Sequence, residues 1–157
     1  MAGKFLRCIC VGKLKAPFFR DAATHYAERL SHWRRLVLTD VRDGDAALPA
    51  TQRNALEGRR ILEALTSEDI PFVLDEHGRH FTSQQLAILL RETDTDSLGR
   101  ACFIVGGAWG LDEAVLRKAR LCISLSHMTL PHELARVVLL EQLYRAECIL
   151  HNVPYHH

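Results

Sequence analysis

Between Val105 and Gly110 the chain reads Val-Gly-Gly-Ala-Trp-Gly, directly after an apolar run. Glycines at a strand end permit tight turns and close approach of backbone to a ligand. In a parallel α/β sheet, ligands bind beyond the C-terminal ends of the strands. The spacing Gly106-Gly107-x-x-Gly110 is not the dinucleotide pattern G-x-G-x-x-G, and Leu121–Ser126, about 20 positions further on, supplies no acid for a ribose. No Gly-Lys-Ser/Thr follows, so this is not a phosphate-binding P-loop either. A plain strand-to-helix turn would account for these glycines taken alone. A second stretch, Leu125-Ser126-His127-Met128-Thr129-Leu130-Pro131-His132-Glu133, follows another apolar run. It mixes apolar side chains, hydroxyls and free backbone amides, which suits a flat heterocycle held mainly through main-chain groups. Its plainer explanation is a helix start, with Thr129 as cap and Pro131 in the first turn.

Histidines crowd the C-terminal part: His127, His132, His151, His156 and His157 are five of the nine. Neither His-x-x-x-His nor His-Glu-x-x-His occurs, so a pocket role in hydrogen bonding fits better than a metal site. Solvated tail histidines remain the alternative. Glu141 and Arg145 stand four apart and suit a helical ion pair. Arg145 and Tyr144 also bring a cation and an aromatic ring toward the tail, where they would hold a phosphate or stack a base. Lys13 and Lys15 follow the first strand and would sit on the ligand side of the sheet, as phosphate contacts or as a solvated loop.

The elements that position these residues follow from periodicity. Strands are expected at Lys4–Val11, Arg35–Val41, Pro71–Asp75, Ala101–Val105 and Leu121–Leu125. Helices are expected at Phe18–Leu30 behind Pro17, from a Thr51 cap to Thr66, from Thr82 or Ser83 to Thr93, from an Asp112 cap to Ala119, and from Pro131 to Leu150. Strands alternating with helices give an α/β fold with a mostly parallel sheet flanked by helices. Residues 1–157 read as a single domain with no repeat or linker. The last helix is apolar on more than one side, through Leu134, Val137, Val138, Leu139, Leu140 and Leu143. It therefore needs two partners. One is the sheet; the other is a second subunit, giving a homodimer, or a neighbouring helix of the same chain.

With 48% hydrophobic and 25% charged residues the composition is that of an ordinary globular domain. No apolar run is long enough to span a membrane, and the N-terminus, interrupted by Arg7, is not a signal peptide. A cytoplasmic protein without a membrane partner is expected. Five cysteines without a Cys-x-x-Cys pair read as buried thiols in a reducing compartment. A net charge of +1 argues against a general nucleic-acid or DNA binder, but not against an enzyme that recognises one RNA feature.

Read in order, Phe103-Ile104-Val105-Gly106-Gly107-x-x-Gly110, then Leu125-Ser126-x-Met128-Thr129-Leu130-Pro131-His132, then Glu141-Gln142-Leu143-Tyr144-Arg145-Ala146 and Asn152-x-Pro154-Tyr155-His156 closely resemble one family. It is the RlmH-type ribosomal RNA large-subunit methyltransferases, minimal members of the SPOUT superfamily. Val11-Gly12-Lys13 and Val73-Leu74-Asp75 resemble it too, and the length matches throughout. The resemblance implies a C-terminal deep trefoil knot, a rare exception to the rule that chains do not thread. It implies S-adenosyl-L-methionine as methyl donor, a homodimer with active sites shared across it, and methylation of N3 of a pseudouridine in 23S rRNA of the assembled ribosome. The implied donor-binding residues are Leu74, Gly106, Gly107, Gly110, Leu125, Ser126, His127, Met128, Thr129, Leu130 and Pro131. His132, Arg145, Tyr155 and His156 are expected on the acceptor side, Arg145 for anion stabilisation and Tyr155 with His156 for holding the nucleotide. Trp109 and the His156-His157 ending depart from the family's pattern. A knotted methyltransferase acting on tRNA and a non-enzymatic ribosome-binding or assembly factor are the competing functions.

Overall fold

The computed structural model describes residues 4–96 and 99–155. Strands β1 (Lys4–Val11), β2 (Arg34–Val41), β3 (Asp69–His80), β4 (Arg100–Val105) and β5 (Leu121–Ser124) alternate with helices α1 (Pro17–Leu30), α2 (Ala50–Ala64), α3 (Ser83–Thr95), α4 (Glu113–Lys118) and α5 (His132–Leu150). The strands form one sheet in the order β2-β1-β4-β3-β5, and every pairing is parallel. Because β3 lies between β4 and β5, the loops leaving β4 and β5 flank the end of β3.

Side chains alternate across the sheet, as a two-residue period requires. Leu6, Cys8 and Cys10 join Phe72 and Phe103 on the face covered by α1, α3 and α5. Ile9, Val11, Val73 and Ile104 face Ile61 of α2 and Val115 of α4. Full burial of each such large side chain contributes about 1.5–3 kcal/mol. Helix α5 lies on the sheet between α1 and α3, packing against both. Val137, Leu139, Leu140 and Leu143 are buried this way, while Leu134 and Val138 stay half-buried.

Most local signals act as expected. Pro17 opens α1. Thr82 and Gln85 form a reciprocal capping box at α3, which satisfies two otherwise open amides. Other caps differ. Pro49 rather than Thr51 precedes α2, whose side-chain cap is missing. Asp112 occupies the N-cap of α4 without capping through its side chain. Pro131 stands at the N-cap of α5, and the Thr129 hydroxyl instead meets Glu76, at 3.3 Å.

Strand β3 runs past the expected end at Asp75. Its pairing with β5 breaks between Leu74 and Arg79, both of which face Ile123. The intervening Asp75, Glu76, His77 and Gly78 are pushed out of register, which local alternation does not reveal.

Ion pairs lace the N-terminal edge of the sheet. Arg34, 3% exposed, joins Asp94 through two 2.7 Å hydrogen bonds and also binds Glu147. Asp69 takes Arg7 at 2.5 Å and Arg100 at 2.8 Å. Burial alone would raise the Asp69 carboxyl. Hydrogen bonds from Arg100 and the Thr66 amide, with the charge of Arg7, nevertheless hold it below the usual carboxylate range.

Candidate active site

A cavity of about 370 Å³ opens where Leu74–Glu76 of β3 and the ends of β4 and β5 meet the start of α5. One wall is the glycine loop after β4, residues 106–111; the other is the loop after β5, residues 125–130. Asp75 and Glu76, displaced by the irregularity in β3, border it beside Leu74. His132 and Ala135 of α5 complete the lining. The lining thus combines apolar side chains and main chain with the hydroxyls of Ser126 and Thr129, two acids and a histidine.

The glycine loop is held from within. The Gly110 amide donates to the Gly107 carbonyl at 3.2 Å, and Gly110 sits at φ +83°, a conformation side chains disfavour. At Gly106 a Cβ would come within 2.7 Å of the Leu111 side chain and 2.9 Å of the Gly110 carbonyl, so the loop admits no larger residue without moving. Helix α2 supports the loop from behind. Asn54 Nδ2 donates to the Trp109 carbonyl at 2.9 Å. Glu57, only 4% exposed, accepts the Gly44 amide at 2.9 Å, and its other oxygen lies against Gly107.

The wall after β5 is braced similarly. Ser124 donates to the Ser126 carbonyl, and the Ser126 hydroxyl accepts the Met128 amide, both at 2.9 Å. His127 turns away to pack its ring on His80, with centroids 3.8 Å apart. The N-terminus of α5 enters the cavity wall without a side-chain cap. Its first-turn amides and the helix dipole favour negative charge there, part of which Glu133 of the first turn supplies.

Of the residues expected at the donor site, Leu74, Gly106, Gly107, Gly110, Leu125, Ser126, Met128, Thr129 and Leu130 border this cavity; His127 and Pro131 do not. The acceptor candidates separate. His132 borders the cavity, whereas Arg145 is thirteen residues further along α5, about 20 Å at 1.5 Å per residue. There Arg145 binds Glu141 at 2.7 Å, and the Tyr155 hydroxyl donates to the same carboxylate oxygen at 3.1 Å. The guanidinium stacks over the Tyr155 ring at 4.7 Å. Burial, and then the nearby Glu141 charge, push the Tyr155 phenol up to about 12, so it stays a donor near neutrality. Asn152, at φ 55°, turns the tail back so that Tyr155 reaches α5. Tyr144 is buried, edge-on to the Tyr155 ring at 4.8 Å. His156 lies outside the described residues.

A larger cavity, of about 650 Å³, lies between α1, β2 and α5 and includes Lys13. Its Arg136 is already committed to Asp40 at 3.0 Å and to the Gly12 carbonyl at 2.7 Å. It lies away from the glycine loop, so the smaller cavity is the better chemical site. Among the described residues no cluster of histidine, cysteine or acidic side chains suits a metal. Burial raises the thiols of Cys8, Cys10 and Cys102, Cys10 to about 11 and Cys102 to about 12, which leaves them protonated and unreactive.

Sequence reasoning did not single out Asp75, Glu76, Asn54 or Glu57 as site residues. The acids enter through a break in strand register, and the α2 residues through packing across the sheet edge. An acidic residue at an interior helix position, as at Glu57, was the one available signal.

A family model described as "Predicted SPOUT methyltransferase" matches residues 5–156. The chain is 68% identical over 157 residues to the ribosomal RNA large subunit methyltransferase H of Desulfovibrio desulfuricans, covering all of both chains. Among solved structures it resembles a probable methyltransferase from Bordetella pertussis, at TM-score 0.58 and 17% identity, over 91% of this chain and 94% of that one. It also resembles the SpoU methyltransferase AviRb from Streptomyces viridochromogenes, solved with AdoMet, at TM-score 0.50 and 15% identity, over 95% and 63%. With a cavity walled by two main-chain loops at the C-terminal sheet edge and a full-length match to one family, the chain belongs to the SPOUT methyltransferases, in the ribosomal RNA large subunit methyltransferase H group.

Proposed function

We propose that the protein transfers a methyl group from S-adenosyl-L-methionine to N3 of a pseudouridine in 23S rRNA of the assembled ribosome. The observation that carries this reading is the cavity between the loops after β4 and β5, which gathers nine of the expected donor residues beside His132. Its lining fits the donor's groups. Main-chain amides and carbonyls of both loops, with Leu74, Leu125 and Leu130, would hold a flat base. Asp75 and Glu76 favour cationic groups, and the uncapped start of α5 favours a carboxylate. When bound, the donor supplies an electrophilic methyl group on a sulfonium.

The chain's own contribution is alignment and proton control. Fixing the reacting groups in line removes on the order of 7–11 kcal/mol from such a barrier. An imide nitrogen attacks well once deprotonated, so groups that favour its anion assist. His132 is the candidate within hydrogen-bonding reach of the cavity.

Arg145 and Tyr155 belong to the acceptor side only if they come from a second copy, because about 20 Å of α5 separates them from their own cavity. This supports a homodimer with composite sites. In it Arg145 stabilises phosphate or the imide anion, and the Tyr155 hydroxyl, with His156, holds the nucleotide. The threading of the chain's C-terminal part into a trefoil knot and a cytoplasmic location belong to the same proposal. No described helix is long and apolar enough to cross a membrane.

The test is methyl incorporation by the purified protein into ribosomes, free subunits and tRNA from a strain lacking the enzyme, with mass mapping of the product. N3-methylpseudouridine in 23S rRNA of ribosomes supports the proposal. Labelled tRNA alone would move the substrate, and absence of donor binding by calorimetry would leave a non-enzymatic ribosome-binding protein.

A further inference from the structure

Two of the largest apolar side chains on the surface flank the mouth of one cavity. Trp109, on the glycine loop, is 62% exposed, and Met128, on the loop after β5, is 79% exposed. Leaving such area in water is unfavourable, and paired exposed apolar groups at a cleft mark a contact surface. Exposure rises outward along the glycine loop, from half-buried Gly106 and Gly107 to exposed Ala108, Trp109 and Gly110. The indole therefore stands at the outer rim, where it meets a molecule arriving from solvent rather than one seated below.

The backbone that carries the ring is fixed. Asn54 holds the Trp109 carbonyl at 2.9 Å, and Gly107 and Gly110 bridge beneath it at 3.2 Å. With the backbone already held, only the side-chain torsions of Trp109 are left to be ordered on binding. The acids Asp75 and Glu76 border the same cavity and repel phosphate. The favourable contact at this mouth is therefore with a base rather than with the backbone of a nucleic acid.

We infer that Trp109 is a substrate-binding residue, on which an unpaired nucleobase of the acceptor RNA stacks as the target nucleotide enters, with Met128 packing from the opposite lip. This rests on the proposal that the cavity is the methyl-transfer site. An aromatic platform accepts any base, so Trp109 contributes affinity for unpaired RNA and the choice of base falls to deeper residues.

The experiment compares wild type, Trp109→Ala and Trp109→Phe in methyl transfer to ribosomes from a strain lacking the modification, with donor affinity by calorimetry and mass by sedimentation. Trp109→Ala is expected to lower kcat/KM about five- to 150-fold, about 1–3 kcal/mol, chiefly through KM. Trp109→Phe retains most of it, because a ring remains. Donor Kd and oligomeric mass stay at wild-type values in both. An unchanged kcat/KM in Trp109→Ala overturns the inference. So does a donor Kd that rises in parallel, which would make the indole a donor lid, or a loss of oligomeric mass, which would make it a subunit contact. A wild-type protein that binds the donor but methylates no RNA sinks the functional proposal itself, and this inference with it.

Discussion

The two edges of the sheet use the same kinds of residue for opposite ends. At the N-terminal edge, charge is consumed inside the fold. Arg34 binds Asp94 and Glu147, and Asp69 sits between Arg7 and Arg100 with its side chain fully buried. At the C-terminal edge, main-chain groups and the acids Asp75 and Glu76 face a cavity, and the start of a nineteen-residue helix lacks a side-chain cap. The first arrangement ties β2 to α3 and α5, and β3 to β1 and β4. The second leaves binding capacity for a ligand. The parallel sheet imposes the asymmetry, because the loops after every strand emerge on one side.

Removing charge from the closed edge should cost the most stability. Asp69→Ala leaves Arg7 and Arg100 facing an emptied buried site, and about 3–5 kcal/mol should be lost in urea denaturation. Donor affinity of the folded protein should not change. Because the folded carboxyl lies below its ordinary value, its contribution is present above the unfolded value of about 3.9 and is lost as pH falls through the folded one. The stability gap between wild type and variant should therefore narrow below about pH 4. A gap that persists in acid would show that packing, not charge, holds this edge.

At the open edge the effect should reverse in kind. Gly106→Ala places a methyl group 2.7 Å from the Leu111 side chain. Overpacking of about 1–3 kcal/mol should shift the loop and weaken donor binding about five- to 150-fold by calorimetry. The unfolding midpoint should move less than in Asp69→Ala. If stability falls and donor affinity holds, the glycine loop belongs to the fold rather than to the site.

The smallest stability effect is expected at the far end of α5. Arg145→Ala breaks an i,i+4 pair with Glu141 that is partly open to solvent, worth about 0.5 kcal/mol. Donor affinity should stay unchanged while methyl transfer to ribosomes falls. Mixing Arg145→Ala with Gly106→Ala protein should restore activity, since each mixed dimer contains one site with both halves intact. Failure of mixing would remove Arg145 from the acceptor side, since its own cavity lies about 20 Å away along α5.

Three of the five strands were legible as short apolar runs, β1 and β4 ended by Gly12 and Gly106 and β5 followed by a polar loop from Ser126, and β2 through its alternation of apolar and polar residues. The two loops at the site were legible because each follows such a run. The extension of β3 was not, since Asp75–Gly78 is polar and its pairing depends on β5, more than forty residues away. The two-sided apolar surface of α5 pointed to the sheet and one further partner; α1 and α3 cover part of it within the chain, and the second subunit belongs to the proposal above. Glu141, which gathers Arg145 and Tyr155, was visible only as half of a helical ion pair.

Local chemistry by itself determined the alternation of strands and helices, the glycine turn after Val105 and the capping box at Thr82. These depend on neighbours within a few residues, so composition and spacing carry them. The ordered motifs, spread along the chain, also pointed to its family. Only tertiary structure decided that Asp75 and Glu76 face the cavity and that Asn54 and Glu57 brace its glycine wall. Those relations arise from strand register and from the order in which the sheet assembles. Both are set by contacts between distant segments, and no local pattern encodes them.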